Sequence, residues 1–424
     1  MMRRKFPIYK NYKNVKHSDI HNIPAHWVEK RVKDIAILER GKFTHRPRND
    51  PQMYDGIYPF IQTGDIAQAN KYIMVYKQTL NDNGIKVSKK FKKGTLLMAI
   101  AANIGDVAIV KFDTYFPDSI VAIKPYKSDN NYLFYLFSTT KNELNRIKIT
   151  NTQDNLNLER LNSLVKFVPP LPEQKSISKY LHTKSEQIDQ KIKLLIKKSA
   201  KYSELKQSLI NETVAHGLNK TVAMKDSGIE WIGEIPEYWK VKRFKDYYLC
   251  SMGNTILKSE LVENGKIPVY SATAEDKYFG FINNSNIILN KDDLVIPARG
   301  NSIGYVKMVR EKCTLTQTSI ACKRQRSICS MYIYYFLMGN RFDIFKFDDT
   351  AIPQFTVEDT NSINIPYPPL EEQKAIADYL DTKTAHIDRI VETINIEVEK
   401  LKELRKTLIN DVVTGKIKVT TEGE

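Results

Sequence analysis

Pro169-Pro170-Leu171-Pro172-Glu173-Gln174-Lys175 returns 199 residues later as Pro368-Pro369-Leu370-Glu371-Glu372-Gln373-Lys374. The same offset runs on without a gap, pairing Ile177 with Ile376, Tyr180-Leu181 with Tyr379-Leu380, Thr183-Lys184 with Thr382-Lys383, Ile188-Asp189 with Ile387-Asp388, and Leu209-Ile210-Asn211 with Leu408-Ile409-Asn410. A register held that far is a duplication, and the rest of the chain is arranged around its two copies.

Each copy reads as one long helix. Leu181, Ile188, Leu195, Tyr202 and Leu209 recur every seven residues, as do Leu380, Ile387, Ile394, Leu401 and Leu408. That is the spacing of a coiled-coil seam. Val391, Val398 and Val412 widen the second stripe, while Ser185, Ile192 and Ser199 leave the first narrower and more polar. Pro172 suits a first helical position, Glu173 and Glu371-Glu372 suit the positive end of the helix dipole, and Gly217 and Gly415 suit the stop. A helix from 173 to 215 would run roughly 65 Å at about 1.5 Å per residue. It needs its seam buried, and the other copy is the natural partner, giving an antiparallel pair.

Composition bounds the class. The 424 residues, 42% hydrophobic and 10% aromatic, suffice for two or three domains with filled cores. Sixty-five Lys and Arg against 49 Asp and Glu leave a net charge of +16, which points to a polyanionic partner. The basic first residues lack the apolar centre of a signal peptide and no apolar run is long enough to span a bilayer, so a cytoplasmic protein with no membrane partner is expected. Cys250, Cys313, Cys322 and Cys329 have no paired Cys-x-x-Cys spacing and are expected to be reduced, with no metal.

The globular part is duplicated too. Ile23-Pro24-Ala25-His26-Trp27 and Lys30-Arg31-Val32-Lys33-Asp34 return at an offset of 212 as Ile235-Pro236-Glu237-Tyr238-Trp239 and Lys242-Arg243-Phe244-Lys245-Asp246. The short strand patterns 94–100 and 106–110 have counterparts at 293–297 and 304–309, and Ser119-Ile120-Val121-Ala122-Ile123 matches Ser319-Ile320-Ala321-Cys322. The domains read as an N-terminal arm 1–22, a first globular domain 23–168, a helical region 169–218, a linker 219–234, a second globular domain 235–367 and a second helical region 368–424.

Between the framework strands the copies diverge. Residues 42–56 and 64–93 have no clear counterpart in 254–292, so one fold carries two sets of loops, the usual seat of recognition. Candidate contacts in the first are Thr44, Arg46, Arg48, Gln62, Thr63, Asp65, Lys89, Lys90, Asn103, Gln153, Asn155 and Asn157. In the second they are Asn254, Lys258, Ser271, Arg299, Asn301, Gln317, Thr318, Arg324 and Gln354. Arg, Asn and Gln can bind base edges bidentately, whereas Lys mostly neutralises phosphate. Each also has a plainer reading as a solvated loop residue.

This layout resembles the specificity subunit of type I restriction-modification systems: two target-recognition domains, each followed by a helical region opening with Pro-Pro-Leu-x-Glu-Gln. The resemblance covers nearly the whole chain and rests on 169–217, 368–417, the run Lys225-Asp226-Ser227-Gly228-Ile229-Glu230-Trp231-Ile232-Gly233-Glu234-Ile235-Pro236, and Ile61-Gln62-Thr63-Gly64-Asp65-Ile66. Asp19-Ile20-His21 stands where the second copy has Trp231-Ile232-Gly233, and the second domain lacks a Gly-Asp-Ile. The resemblance implies a non-catalytic subunit that binds duplex DNA at a split, asymmetric target. It implies two methyltransferase subunits as partners, joined in some systems by two restriction-translocase subunits. S-adenosylmethionine, ATP and Mg would belong to those partners, leaving this chain without a cofactor.

Two motifs compete with that reading, and a third is missing. Val168-Pro169-Pro170-Leu171 and Tyr367-Pro368-Pro369-Leu370 are near the Asn-Pro-Pro-Tyr loop of amino-methyltransferases, but lack its polar first residue and its final aromatic. Pro117-Asp118 with Glu173-Gln174-Lys175 is near a nuclease carboxylate site, yet metal-dependent hydrolysis needs converging ligands and Glu-Gln-Lys opens a coiled coil in both copies. No Gly-x-x-x-x-Gly-Lys or Gly-x-Gly-x-x-Gly loop occurs. The expected architecture is α+β or α/β, pseudo-twofold, with two recognition domains separated by an antiparallel coiled coil. The alternative is a stand-alone DNA-binding scaffold or repressor, which would purify without a methyltransferase.

Overall fold

In the computed structural model the described residues are 7–17, 20–147, 157–346 and 353–419. The chain divides into two compact units, Met1–Lys193 with Val398–Glu424, and Leu194–Glu397. The two copies of the quoted stretch are continuous helices, Leu171–His216 and Leu370–Val413. Each is about 65 to 70 Å long at 1.5 Å per residue. Leu171 opens the first helix rather than Pro172, which in second place still needs no amide partner. Gly217 and Gly415 follow the helix ends at φ +69° and +76°, left-handed conformations that favour glycine.

Each unit holds a part of each helix, and the packing within a unit fixes their direction. In the first, Ile177 and Leu181 near the start of one helix share a core with Leu408 and Val412 near the end of the other. In the second, Ile210 and Val214 share one with Ile376 and Leu380. The helices therefore run antiparallel. Leu380, Ile387, Ile394 and Leu408 are buried and Leu401 half-buried, whereas of the first helix's heptad positions Leu181 is buried and Ile188, Leu195, Tyr202 and Leu209 are half-buried. The stripe with the serines is the wetter one.

The globular domain of the first unit has a five-stranded sheet in the order Ala36–Arg40, Ile120–Pro125, Leu96–Ala99, Val107–Val110, Tyr72–Ile73. A four-stranded sheet follows, ordered Gln78–Leu80, Tyr54–Phe60, Thr114–Tyr115, Lys90–Phe91. In the second unit the sheets are Tyr248–Met252, Ser319–Arg324, Leu294–Pro297, Lys307–Met308 and Gly280–Ile282, Ile267–Tyr270, Thr314–Leu315. The central strands are apolar throughout because both faces are covered. Leu96 and Met98 face the core that includes Tyr132 and Leu181, while Leu97 and Ala99 face a second core with Phe91 and Phe116. Leu294 and Ile296, against Val295, repeat the arrangement.

The strand pairing refines two readings. Ile120 pairs with Ala99, and Ser319 pairs with Pro297. Ile120 is thus the equivalent of Ser319, and the offset here is 199, not the 200 suggested by matching Ser119-Ile120 to Ser319-Ile320. Side-chain alternation confirms it, since Val121 and Ile320 point into the cores that contain the long helices. Residues read as an arm and a linker also contribute strands: Tyr12–Asn14 pairs with Asn22–Pro24, and Met224–Asp226 with Glu234–Pro236. The repeat at offset 212 therefore reaches back to Tyr12 and Met224.

Each domain leaves and rejoins the helical framework at one ladder. Val28–Arg31 pairs antiparallel with Val165–Val168, and Lys240–Arg243 with Asn364–Tyr367. Everything between is a closed excursion.

Candidate nucleic-acid interface

The Pro-Pro-Leu-x-Glu-Gln motif is a joint between helix and domain. Glu173 accepts hydrogen bonds from the Trp27 indole at 3.1 Å and the Tyr9 hydroxyl at 2.6 Å, with His26 Nε2 at 2.7 Å. Glu372 does the same for Trp239 at 3.1 Å and Tyr238 at 3.0 Å. Gln174 donates to the Pro169 carbonyl at 2.9 Å and accepts from the Asp129 amide at 3.0 Å; Gln373 bridges Pro368 and Cys329 with 2.9 Å bonds. Both glutamines are buried. The motif's polar groups are spent on these structural partners.

The loops meet at one end of the sheets. In the second unit the Ala298 amide donates to the Thr318 carbonyl at 3.0 Å, the Gln317 amide to Asn254 at 2.7 Å, and the Phe355 amide to Ala298 at 2.9 Å. Ser302 Oγ donates to the Ala272 carbonyl at 2.8 Å, and Arg299 forms a backbone bridge with Gln354. Asn254, Ser271, Arg299, Asn301, Gln317, Thr318 and Gln354 are thereby gathered on one surface. Arg299, Asn301, Gln317 and Gln354 are exposed, while Asn254 turns its amide to Ser285 at 2.6 Å. Lys258 is exposed on a short 3-10 turn, Lys258–Glu260. Arg324 ends strand Ser319–Arg324, at the opposite end from these loops, with Asp292 at 3.8 Å.

Lys307, which the sequence did not single out, supports this surface from below. Its amine is buried and donates to the Ser271 carbonyl at 3.1 Å and to Thr273 Oγ1 at 2.7 Å. Burial pushes its pKa below the usual lysine value.

The first unit builds the same end differently. The Gly41, Lys42, Ile61 and Ile100 amides donate to Ile120, Phe116, Tyr115 and Ser119, bringing loops 41–50, 61–65, 100–105 and 116–119 together. Gly41 is required there: a Cβ would lie 2.3 Å from the Pro117 carbonyl, and one on Gly253 2.3 Å from that of Thr316. Several candidates serve the loops themselves. Thr44 bonds the Val87 carbonyl through its amide at 3.1 Å, Arg46 Nη1 donates to the Phe43 and His45 carbonyls at 2.9 and 2.8 Å, and Asp65 caps its turn by accepting from the Gln62 amide at 2.8 Å.

Asn157 caps helix Leu158–Ser163. Lys89 pairs with Glu39, and Lys90 with Asp113 at 3.0 Å. Gln62 donates to Gln78 at 2.9 Å beside Thr63, which opens helix Thr63–Gln68. Asn103 is exposed in the turn after Leu96–Ala99. Gln153 and Asn155 lie outside the described residues.

Arg48 is held differently from the rest. Its Nη2 donates to both oxygens of Asp118, at 2.7 and 2.9 Å, and both side chains remain substantially exposed. Among the described residues no helix is long and apolar enough to cross a membrane, and no group of three or more His, Cys, Asp or Glu is placed to hold a metal ion.

Comparison with known proteins fits this duplicated construction. The family described as Type I restriction modification DNA specificity domain matches twice, over residues 24–198 and 236–400. Two relatives from Methanocaldococcus jannaschii, named as the MjaX and MjaVIII type I restriction enzyme specificity subunits, are 27% and 25% identical. Each alignment covers 96% of this chain and 97% of the relative. A solved structure titled for complex assembly and conformational transition of the type I R-M system covers 93% of this chain and 99% of its own, at a TM-score of 0.74 and 16% identity. The crystal structure of the HsdS subunit from Thermoanaerobacter tengcongensis covers 95% of this chain and 100% of its own, at 0.57 and 17%. At such identities the likeness is one of fold.

Proposed function

The chain belongs to the type I restriction modification DNA specificity family, and from that membership we propose that each of its two domains reads one half of a bipartite, asymmetric duplex DNA target. The observation that carries this is one framework presenting two unlike surfaces. At the turn after the central strand the second domain offers Arg299-Gly300-Asn301, where the first has Ala101-Ala102-Asn103. Both turns use a left-handed residue, Gly300 at φ +67° and Ala102 at φ +56°. A shared left-handed turn with different side chains reads different bases.

The chain supplies specificity and no chemistry. Two methyltransferase subunits dock on it, joined by two restriction subunits where the system has them, and those partners bring S-adenosylmethionine, ATP and Mg. Two repeat-related leucines support two equivalent docking positions: Leu205 and Leu404, 199 residues apart, are 54% and 48% exposed on the outward sides of their helices. The net charge of +16 supplies phosphate contacts that weaken steeply with salt. Acting on cellular DNA, the complex works in the cytoplasm.

Co-expression with a type I methyltransferase subunit from the same organism tests the reading, followed by mapping of methylated adenines. A co-purifying complex and a two-part motif with a fixed non-specific gap are expected. Methylation by the isolated chain, or a single contiguous motif, would overturn it.

A further inference from the structure

Arg48 is fixed at both ends. Phe43 and Tyr54 stack at 5.8 Å within a small apolar core, and the Tyr54 hydroxyl donates to the Arg48 carbonyl. At the other end the guanidinium is clamped through Nη2 on both oxygens of Asp118. Nη1 and Nε have no partner among the described residues, and the side chain is 48% exposed. A solvated arginine samples many rotamers; this one is held in place, with Nη1 and Nε left free to donate singly.

The position of Asp118 recurs in the repeat. At the offset of 199 shown by the strand pairing, its counterpart is Gln317, whose Oε1 accepts from Thr255 Oγ1 at 2.9 Å. In both domains, then, a side-chain acceptor on the loop before the strand Ile120–Pro125 or Ser319–Arg324 is tied to the loop that follows a close-approach glycine, Gly41 or Gly253. The tie is the same although the residues differ.

Charge decides what Arg48 reads. A carboxylate placed against a phosphate backbone is repelled, so Asp118 is a poor neighbour for an arginine that only neutralises phosphate. Against base edges it is a good one. The guanine edge offers O6 and N7 as adjacent acceptors for Nη1, and the amino groups of a neighbouring cytosine or adenine can donate to the carboxylate.

We propose that Asp118 is a specificity-determining residue of the first domain, orienting Arg48 onto a guanine of its half-site. This rests on the assignment of one half-site to each domain. The test compares the complete methyltransferase complex carrying the wild-type chain, Asp118→Asn, Asp118→Gln, Arg48→Lys and the Asp118→Asn/Arg48→Lys double variant, on target libraries randomised at each position. Asp118→Gln installs the residue the second domain already accommodates there.

Each single variant is expected to lose on the order of ten- to a hundredfold discrimination at one G·C pair of one half-site. The double variant should lose little more than Arg48→Lys, and the other half-site should stay intact as the folding control. Discrimination unchanged at every position overturns the inference, as does an even loss across the first half-site, which marks a structural tie. A wild-type complex that reads no two-part motif overturns the functional assignment instead.

Discussion

Asp189 on the first long helix accepts a hydrogen bond from Arg405 on the second, and with the roles exchanged Lys206 on the first donates to Asp388 on the second at 2.7 Å. Asp189 and Asp388 are the same position of the repeat, as are Lys206 and Arg405, each 199 residues apart. One contact is therefore made twice, once in each unit, with each helix supplying the acid once and the base once.

Reversing one of these charges tests the antiparallel register. Asp189→Lys should cost about 1 kcal/mol, because both partners are partly exposed and such pairs contribute little more than that. Adding Arg405→Asp should restore most of it. Thermal unfolding of the two single variants and the double variant measures the coupling; independent effects would place the contact elsewhere.

The buried glutamines are a stronger constraint. Gln373→Leu leaves the Cys329 amide and the Pro368 carbonyl without partners inside the protein. A loss of about 2 to 3 kcal/mol is expected, with the midpoint in urea falling. Gln174→Leu should act equally on the first unit, through Asp129 and Pro169.

Arg299→Ala should relax recognition of a single half-site by about 1 to 3 kcal/mol if its guanidinium meets a base. Arg46→Ala should be blunter, because Arg46 holds the Phe43 and His45 carbonyls and its loss loosens the whole loop. Methylation of substrates mutated base by base separates the two: one position changes for Arg299, several together for Arg46.

Leu205→Asp and Leu404→Asp place a charge on the exposed leucines without touching the seam. Each should cost the complex one methyltransferase copy, and the pair should cost both, with melting temperatures unchanged. Mass determination of the purified complexes reads the stoichiometry. Two bound copies in the double variant would move docking to another face.

The duplication, both long helices and the framework strands were legible in the sequence because they rest on long apolar periodicities. The leading strands Tyr12–Asn14 and Met224–Asp226 were not, since they carry almost no buried side chain and so leave no alternation to read. The one-residue slip at Ser319 was hidden by a coincidental Ser-Ile in both copies; only strand pairing reveals it. Asp118 enters the sequence reading only within a nuclease-like motif that the helix start at Glu173 rules out, although its partner Arg48 is among the candidate contacts. They lie 70 residues apart, and nothing local links them until the loop of 42–50 folds over the turn at 116–119. Arg46, Asp65 and Asn157 have the right chemistry for bases, but their hydrogen bonds go to the backbone around them.

The ladders that close each domain bear on how such a chain changes over time. Because Val28–Arg31 lies beside Val165–Val168, and Trp27 locks onto Glu173 just beyond, the polypeptide enters and leaves the first domain at neighbouring points. A recombination event that exchanged residues 32–164 for the same span of a related gene would cross the chain at two sites already held side by side. The coil, the locks and the exposed leucines Leu205 and Leu404 would pass through unaltered. Inheritance can thus renew what half of the molecule recognises in a single step, while the framework that carries it stays as before.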